Sequence, residues 1–475
     1  MQKSTLAVLA LVGVVFVGLI FYTTFSDETE EPTDENGETV PDPGTGFYEE
    51  SIDYELAEER LYSVGDSPSF VAGEGEDFVV VDGEEHDSFD TVAPPILDIN
   101  GQPGYTAMDG EQSVFMVGGE EKVRHDLEKM VSNPQEIDGE IAYILSEAED
   151  FEKMFDFSSL NSFEEMAEAY EDVISFSVYW GDEVIGENYQ LAEDLVDIGG
   201  EPAYKAVGED GDMRVFHGDY VGEGFDYVGR PTEVGGELAY YAWDSNSAYV
   251  VVDGEKVAEY NMVDQLNDFE GEPGFVARDG EGIKVVVDGE EVEVYGVEYD
   301  GVSGLQSFGG APFFIVERAD RRIPVFDGVE KDAFHEVKDV VDVGGQPAYR
   351  ARRGDEWFLV HGTDVVESIN EEDGMVGSPR NIGGRLSYKV IDGVNQLIVL
   401  DGDELVESDY VSDPIEFSGE IGYIEGDDSS QRFVFNGYET NDFEEFVSVT
   451  DINGRPKLIG VRNGGMFLVG FEGGN

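Results

Sequence analysis

Carboxylates dominate the reactive side chains of this chain. Asp and Glu number 107 against 27 Lys and Arg and five His, a formal charge of −80, and there is no cysteine. Without a thiol, disulfides, thiolate metal sites, cysteine nucleophiles and a lipid-modified cysteine anchor are excluded. The histidines, His86, His125, His217, His335 and His361, form no H-E-x-x-H and no i, i+4 pair, so a helix-borne zinc site of that kind is excluded as well. A calcium loop needs acids spaced as D-x-D-x-D-G with a closing Glu. The nearest string, Glu209-Asp210-Gly211-Asp212, is too short to cage an ion. Neither a G-x-S-x-G elbow nor a nucleotide-binding glycine motif occurs. No catalytic residue, metal ligand or cofactor is therefore assigned. What carboxylates alone offer is paired acid–base work, as in glycoside hydrolysis, where the separation of the pair sets the mechanism. With 107 acids to choose from, the sequence selects no pair.

So extreme a charge opposes compaction, yet 40% of residues are hydrophobic and 12% aromatic. That is too apolar for a disordered polyanion, so a folded body must carry the charge. The economical account is the surface of a salt-adapted, halophilic protein, because at about 1 M salt the Debye length is only ~3 Å and neighbouring carboxylates hardly repel. Nucleic acid is not an expected partner, since phosphate binding needs clustered Lys and Arg.

The elements that hold these residues begin with a membrane segment. Leu6 to Tyr22 is uncharged and apolar, and with Thr5 and Thr23 to Phe25 the run is long enough to cross a bilayer as a helix. Lys3 precedes it, while Asp27, Glu28, Glu30 and Glu31 follow. This asymmetry predicts a single-pass signal anchor over 1–25 with a cytoplasmic N-terminus and an extracellular body. A cleavable secretory signal would want an A-x-A-like site, which VGLIFYTTFS does not offer. Residues 26–46, acidic and rich in Pro and Gly, read as a disordered, self-repelling linker.

The remainder repeats. Val340 to Ser368 holds four short strand-prone runs and three turn signals, at Gly344-Gly345, Arg353-Gly354-Asp355 and His361-Gly362, a four-stranded antiparallel meander. Aligned on the aromatic of PAY, the copies fall at Phe70, Tyr105, Tyr143, Tyr204, Tyr240, Phe275, Phe314, Tyr349, Tyr388 and Tyr423, with Leu458 in register. A second Gly follows each aromatic by 13 or 14 residues, except in the third copy, where the interval to Gly181 is 38. The excess there predicts an insertion over 146–173. Its Ser162-Phe163-Glu164-Glu165 is a capping box, and Phe163, Met166, Ala167 and Tyr170 fall on one helical face.

A lone meander cannot bury both of its faces, so the copies must stack, and radial stacking gives a β-propeller. GGQPAY, GGEPAY and GGELAY resemble the second-strand motif of the WD40-like, TolB-type propeller repeat. The resemblance runs from about residue 60 to 475 and implies the fold alone, because that repeat hosts unrelated functions. The expected fold is all-β: about eleven short repeats in a single ring or two propellers over 47–475, with an N-terminal transmembrane helix and one helical insertion. A β-solenoid is the structural alternative. Repeat units are expected near 60–95, 96–134, 135–194, 195–231, 232–266, 267–303, 304–339, 340–379, 380–414, 415–446 and 447–475. The last lacks a fourth strand, and residues 47–54 are expected to supply it.

Strand parity places the first-to-second and third-to-fourth turns on one face. The second-to-third turns and the blade-to-blade loops fall on the other. Function concentrates on variable loops held by a rigid scaffold. The loop-rich face is thus the expected partner face, with Met154, Phe155, Phe157 and Tyr170 of the insertion as candidate binding residues. Propeller glycosidases use channel carboxylates, so two functions follow. The first is a membrane-anchored extracellular module of a halophilic prokaryote's cell surface that binds a protein or glycan. The alternative is a surface polysaccharide hydrolase using carboxylates at the channel mouth.

Overall fold

The fold, a computed structural model, describes residues 47–471 except 53, 55, 59, 74, 127–128, 149–173, 182, 209, 246, 296–299 and 428. Two-residue turns organise it. A type I′ hairpin needs positive φ at both central residues, and Asn100-Gly101, Asp138-Gly139, Asp253-Gly254, Asp401-Gly402 and Asn453-Gly454 all supply it. The result is eleven sheets built on antiparallel meanders, the blades of an all-β propeller. They span 62–89, 91–126, 129–189, 191–221, 227–260, 262–295, 301–330, 336–370, 374–408, 410–439 and 445–471 and are called blades 1 to 11 in that order.

Each second strand carries a core position a few residues after its start. In the PAY column Phe70, Tyr105, Tyr143, Tyr204, Tyr240, Phe275, Phe314, Tyr349, Tyr388 and Leu458 are buried, while Tyr423 is half-buried. The preceding Pro costs no ladder bond, because its carbonyl rather than its missing N–H is used: Pro68, Pro103, Pro273, Pro312 and Pro347 accept from the third-to-fourth turns at 2.8–3.2 Å.

First strands carry a break at a fixed depth. In blades 3, 4, 6, 7 and 8 it is a bulge between paired stretches, with Asn133, Asp194, Gln265, Gly304 or Asp339 at positive φ. In blades 5, 9 and 10 the strand splits in two, and the gap holds Pro231, Pro379 or Pro414, which cannot donate to a ladder. Between Val221 and Pro231 and between Asn370 and Pro379 the chain is accordingly not all connection, because Tyr227–Val228 and Gly374–Val376 already pair with the second strand ahead of the proline. Fourth strands are the exposed ones. Val184, Val257, Val292, Val329, Val365 and Leu405 lie open there, interleaved with acids such as Glu290, Glu291, Asp403 and Glu404.

Contacts divide the chain into two compact units. Among the described residues the first comprises 89–94 and 102–256, and its blades 3, 4 and 5 pack through Ile144, Leu195 and Tyr204 and then Val215, Phe225 and Tyr240. The second comprises 47–88, 95–101 and 257–471. In it blades 6 to 11 pack in succession, and blade 11 packs on blade 1 through Ile459, Leu61 and Phe70. Glycine turns meet where first-to-second hairpins adjoin: a Cβ on Gly383, at φ +57, would lie 2.8 Å from Gly419 Cα and O.

The expected fourth strand of blade 11 is present. Phe47–Ile52 pairs antiparallel with Gly465–Phe471, Phe47 opposite Phe471 and Ile52 opposite Met466. Phe47 is 4% exposed and meets Phe433 and Phe471 edge-on at 6.0 and 5.1 Å. Glu49 Oε2 pairs with Arg462 Nη2 at 2.5 Å, and Asn441 Nδ2 donates to Glu49 Oε1 at 2.8 Å. The described residues contain no helix, and none therefore long and apolar enough to cross a membrane. The expected anchor over 1–25, the linker over 26–46 and the helical part of the insertion, 149–173, lie outside the described residues.

Candidate functional site: a cationic cluster on blades 7 and 8

The candidate binding residues Met154, Phe155, Phe157 and Tyr170 lie outside the described residues, so the structure places none of them. The histidines at turn positions have structural partners. His217 Nε2 lies 3.0 Å from Ile198 O and His361 Nε2 lies 3.3 Å from Val343 O. Trp180 Nε1 donates to Ile137 O in the same way at 3.1 Å. The acidic string near Asp210 holds an arginine rather than an ion site: Arg214 Nη2 sits 2.6 Å from Asp210 Oδ2. The bond from Arg214 holds the Asp210 carboxyl down to about 2. Among the described residues no three His, Asp or Glu converge as a metal site.

A different set of residues does converge. Arg318, Arg321, Arg322, Lys331, Lys338, Arg350, Arg352 and Arg353 are eight of the chain's 27 basic side chains, and over 318–353 they face only seven acids. The rest of the chain therefore carries −81. Reading charge as a single total concealed this, although a local charge count along the sequence would have found it.

The fold gathers Arg318, Arg321, Arg322 and Arg353 at one end of two packed sheets, while Lys338, Arg350 and Arg352 lie on the other side of blade 8. Arg318 and Arg321 flank the second-to-third turn of blade 7, between the strands Ala311–Arg318 and Arg321–Phe326. Arg353 ends the strand Gln346–Arg353 of blade 8, and His335 ends the connection between the two blades. Blades 7 and 8 join through Phe313, Phe334 and Tyr349, and Phe334 bridges back to Arg322.

The cations stand on aromatic rings. Arg353 Cζ lies 5.0 Å from the Phe334 centroid and 5.6 Å from that of Phe358. On the other side of blade 8, Lys338, Arg350 and Arg352 surround Trp357 at 4.6, 5.5 and 5.7 Å. Such contacts are worth about 0.5–1 kcal/mol each when exposed and fix the guanidinium planes. Ion pairing is uneven. Arg350 is tied to Asp339 by two contacts and donates to Val376 O on blade 9 at 3.0 Å, a structural clasp. Arg353 Nη2 meets Asp332 at 2.8 Å, but Asp332 is 73% exposed. Arg321 and Arg322 stand 3.8 and 3.9 Å from Asp320 and Glu317, beyond hydrogen-bond range.

His335 occupies a recurring capping position. Its Nδ1 accepts from Gly354 N–H at 3.1 Å. Asp90, Asp300 and Glu444 accept in the same way from Gly110, Ala319 and Asn463 on their own blades. Acceptance at Nδ1 assigns the ring proton to Nε2. A carboxylate that would repel an anion is here replaced by a donor.

Two other groups read as packing. Lys205 is buried between blades 4 and 5; burial lowers its pKa, but Glu193 and Asp194 at 3.0 and 2.7 Å outweigh that and leave it raised. Tyr241, in the equivalent place on blade 5, covers Gly229, while Tyr227 stacks on Trp243 at 4.3 Å.

No family model matches the chain, and no curated protein matches it either. Solved structures similar to it include the computationally designed Ika8 protein, 12% identical over 66% of this chain and 98% of that one, TM-score 0.29. Another is the β-propeller domain of the Trilobed protease from Pyrococcus furiosus, 11% identical over 69% and 97%, TM-score 0.27.

Proposed function

We propose that this chain is a non-enzymatic binding module, tethered by its N-terminal segment to the outer side of the membrane of a salt-adapted prokaryote, that holds a protein or glycan of the envelope. The apolar run at Leu6 to Tyr22, the following acids and the charge of −80 support the location and the salt adaptation. A propeller of short, rigid blades is consistent with binding through the loops between them. The observation that carries the reading is the cationic cluster: where carboxylates cover the chain, blades 7 and 8 present guanidinium groups braced on rings. Arginine is the residue of choice for recognising oxyanions by paired N–H donors.

The test is crosslinked capture from an envelope fraction, with the full chain as bait in molar salt. A saturable envelope protein or glycan, competed by excess free chain, is the expected result. Capture no greater than by an unrelated acidic protein of equal charge would overturn the reading.

A further inference from the structure

We infer that the end of blades 7 and 8 built by Arg321, Arg322, His335 and Arg353 is an anion-recognition site for an acidic polysaccharide, a chain carrying carboxylate or sulfate groups. The inference rests on the binding-module reading and names its ligand.

All four groups offer donors. Arg353 is preorganised over Phe334 and Phe358, and Arg321 and Arg322 are too far from their acids to spend their N–H groups on them. His335 directs Nδ1 to Gly354 N–H and to Arg321 Nη1, 3.4 Å away, which ties the two side chains together and leaves Nε2–H and the other Arg321 N–H groups as donors. A carboxylate or sulfate accepts two parallel N–H bonds from one guanidinium, and such charge-assisted pairs are about twice as strong as neutral ones. Short range matters here, because in molar salt attraction beyond ~3 Å is screened and only contact recognition survives.

Size selects a polysaccharide over an acidic protein. The cluster spans three strands at ~4.8 Å spacing on sheets ~10 Å apart, a footprint on the order of 200 Å². A standard protein interface needs about 800 Å² per partner. It would spread onto Asp300, Glu317, Asp355 and Glu356 at the same end, burying like charges against an acidic partner. A single polysaccharide chain stays within the footprint, its spaced charges meeting the arginines.

The experiment measures binding of the full chain in molar salt to immobilised polygalacturonate, dextran sulfate, neutral dextran and poly-L-glutamate. Saturable binding to one or both acidic polysaccharides, with neither dextran nor polyglutamate retained, is expected. The double variant Arg321→Gln/Arg353→Gln should weaken it at least tenfold. His335→Asp should weaken it several-fold, yet fold normally, because Asp300 and Asp90 fill the same capping role elsewhere. Arg124→Gln, on blade 2, should bind as the parent does, and melting temperatures of all variants should stay within a few degrees of the parent's. Equal binding by variants and parent, no binding to either polyanion, or polyglutamate binding as tight as polysaccharide binding would each overturn the proposal. If the His335→Asp chain still captures envelope material as the parent does, the binding-module reading stands and this site falls. If the parent captures nothing, the broader reading fails.

Discussion

Phe47→Ala tests how the last blade is completed. The side chain is 4% exposed and lies between Phe433 of blade 10 and Phe471 of blade 11, with Phe471 also at 5.0 Å from Phe435. Truncating a buried Phe to Ala costs roughly 3–5 kcal/mol from lost transfer energy and the cavity left behind. Because Phe47 is the first residue of its strand, the low end applies, about 3 kcal/mol. Val365→Ala, on the outer strand of blade 8 and 54% exposed, should cost no more than about 0.5 kcal/mol. Urea unfolding at fixed molar salt, followed by circular dichroism, reads both as midpoint shifts at a common slope. A Phe47→Ala shift no larger than that of Val365→Ala would refute the reasoning, since a strand that merely rests on the surface has nothing to lose.

Other outcomes follow from named contacts. Gly383→Ala puts a Cβ 2.8 Å from the Gly419 backbone at φ +57, so it should destabilise by about 1–3 kcal/mol in the same urea assay, whereas Gly464→Ala, at φ +74 but with open space around it, should cost only the backbone strain of about 1 kcal/mol. Tyr388 and Tyr423 are pushed up to about 12, first by burial and then by nearby carboxylates. A folded pKa above the unfolded value of about 10 means that their contribution to stability is whole below pH 10 and disappears between 10 and 12. Alkaline titration by tyrosinate absorbance should therefore show a late-ionising class whose release coincides with unfolding. Transfer from molar salt to a few millimolar should expand or unfold the chain, as 107 acids lose their screening; unchanged circular dichroism would contradict the salt-adapted reading.

The repeat was legible because two constraints are sharp. Only a residue tolerant of positive φ closes a two-residue hairpin, and only a large apolar side chain fills the position after PA, so the interval from Tyr240 to Gly254 or Tyr388 to Gly402 survives in the sequence. The completing strand, expected over 47–54 and formed by Phe47–Ile52, was legible by the same logic, from a meander one run short. First-strand bulges were not legible. Asn133, Asp194, Gln265, Gly304 and Asp339 share a backbone angle but no residue type, and a bulge is set by pairing on both sides rather than by its own side chain. The cation cluster escaped for another reason. Arg321, Arg322 and Arg353 lie up to 32 residues apart, and only the packing of blade 7 on blade 8 makes them neighbours. His335 in turn looks ordinary until Asp300 and Glu444 are seen doing its capping work.

Pairing Phe47 with Phe471 puts the first and last residues of that two-strand ladder side by side at the same end. A pull applied across those two residues loads the hydrogen bonds one rung at a time, as a zipper is drawn, instead of shearing six rungs together. Tension on the chain ahead of residue 47 thus concentrates on a single seam, and this seam parts before any sheet whose strands are joined by hairpins on both sides.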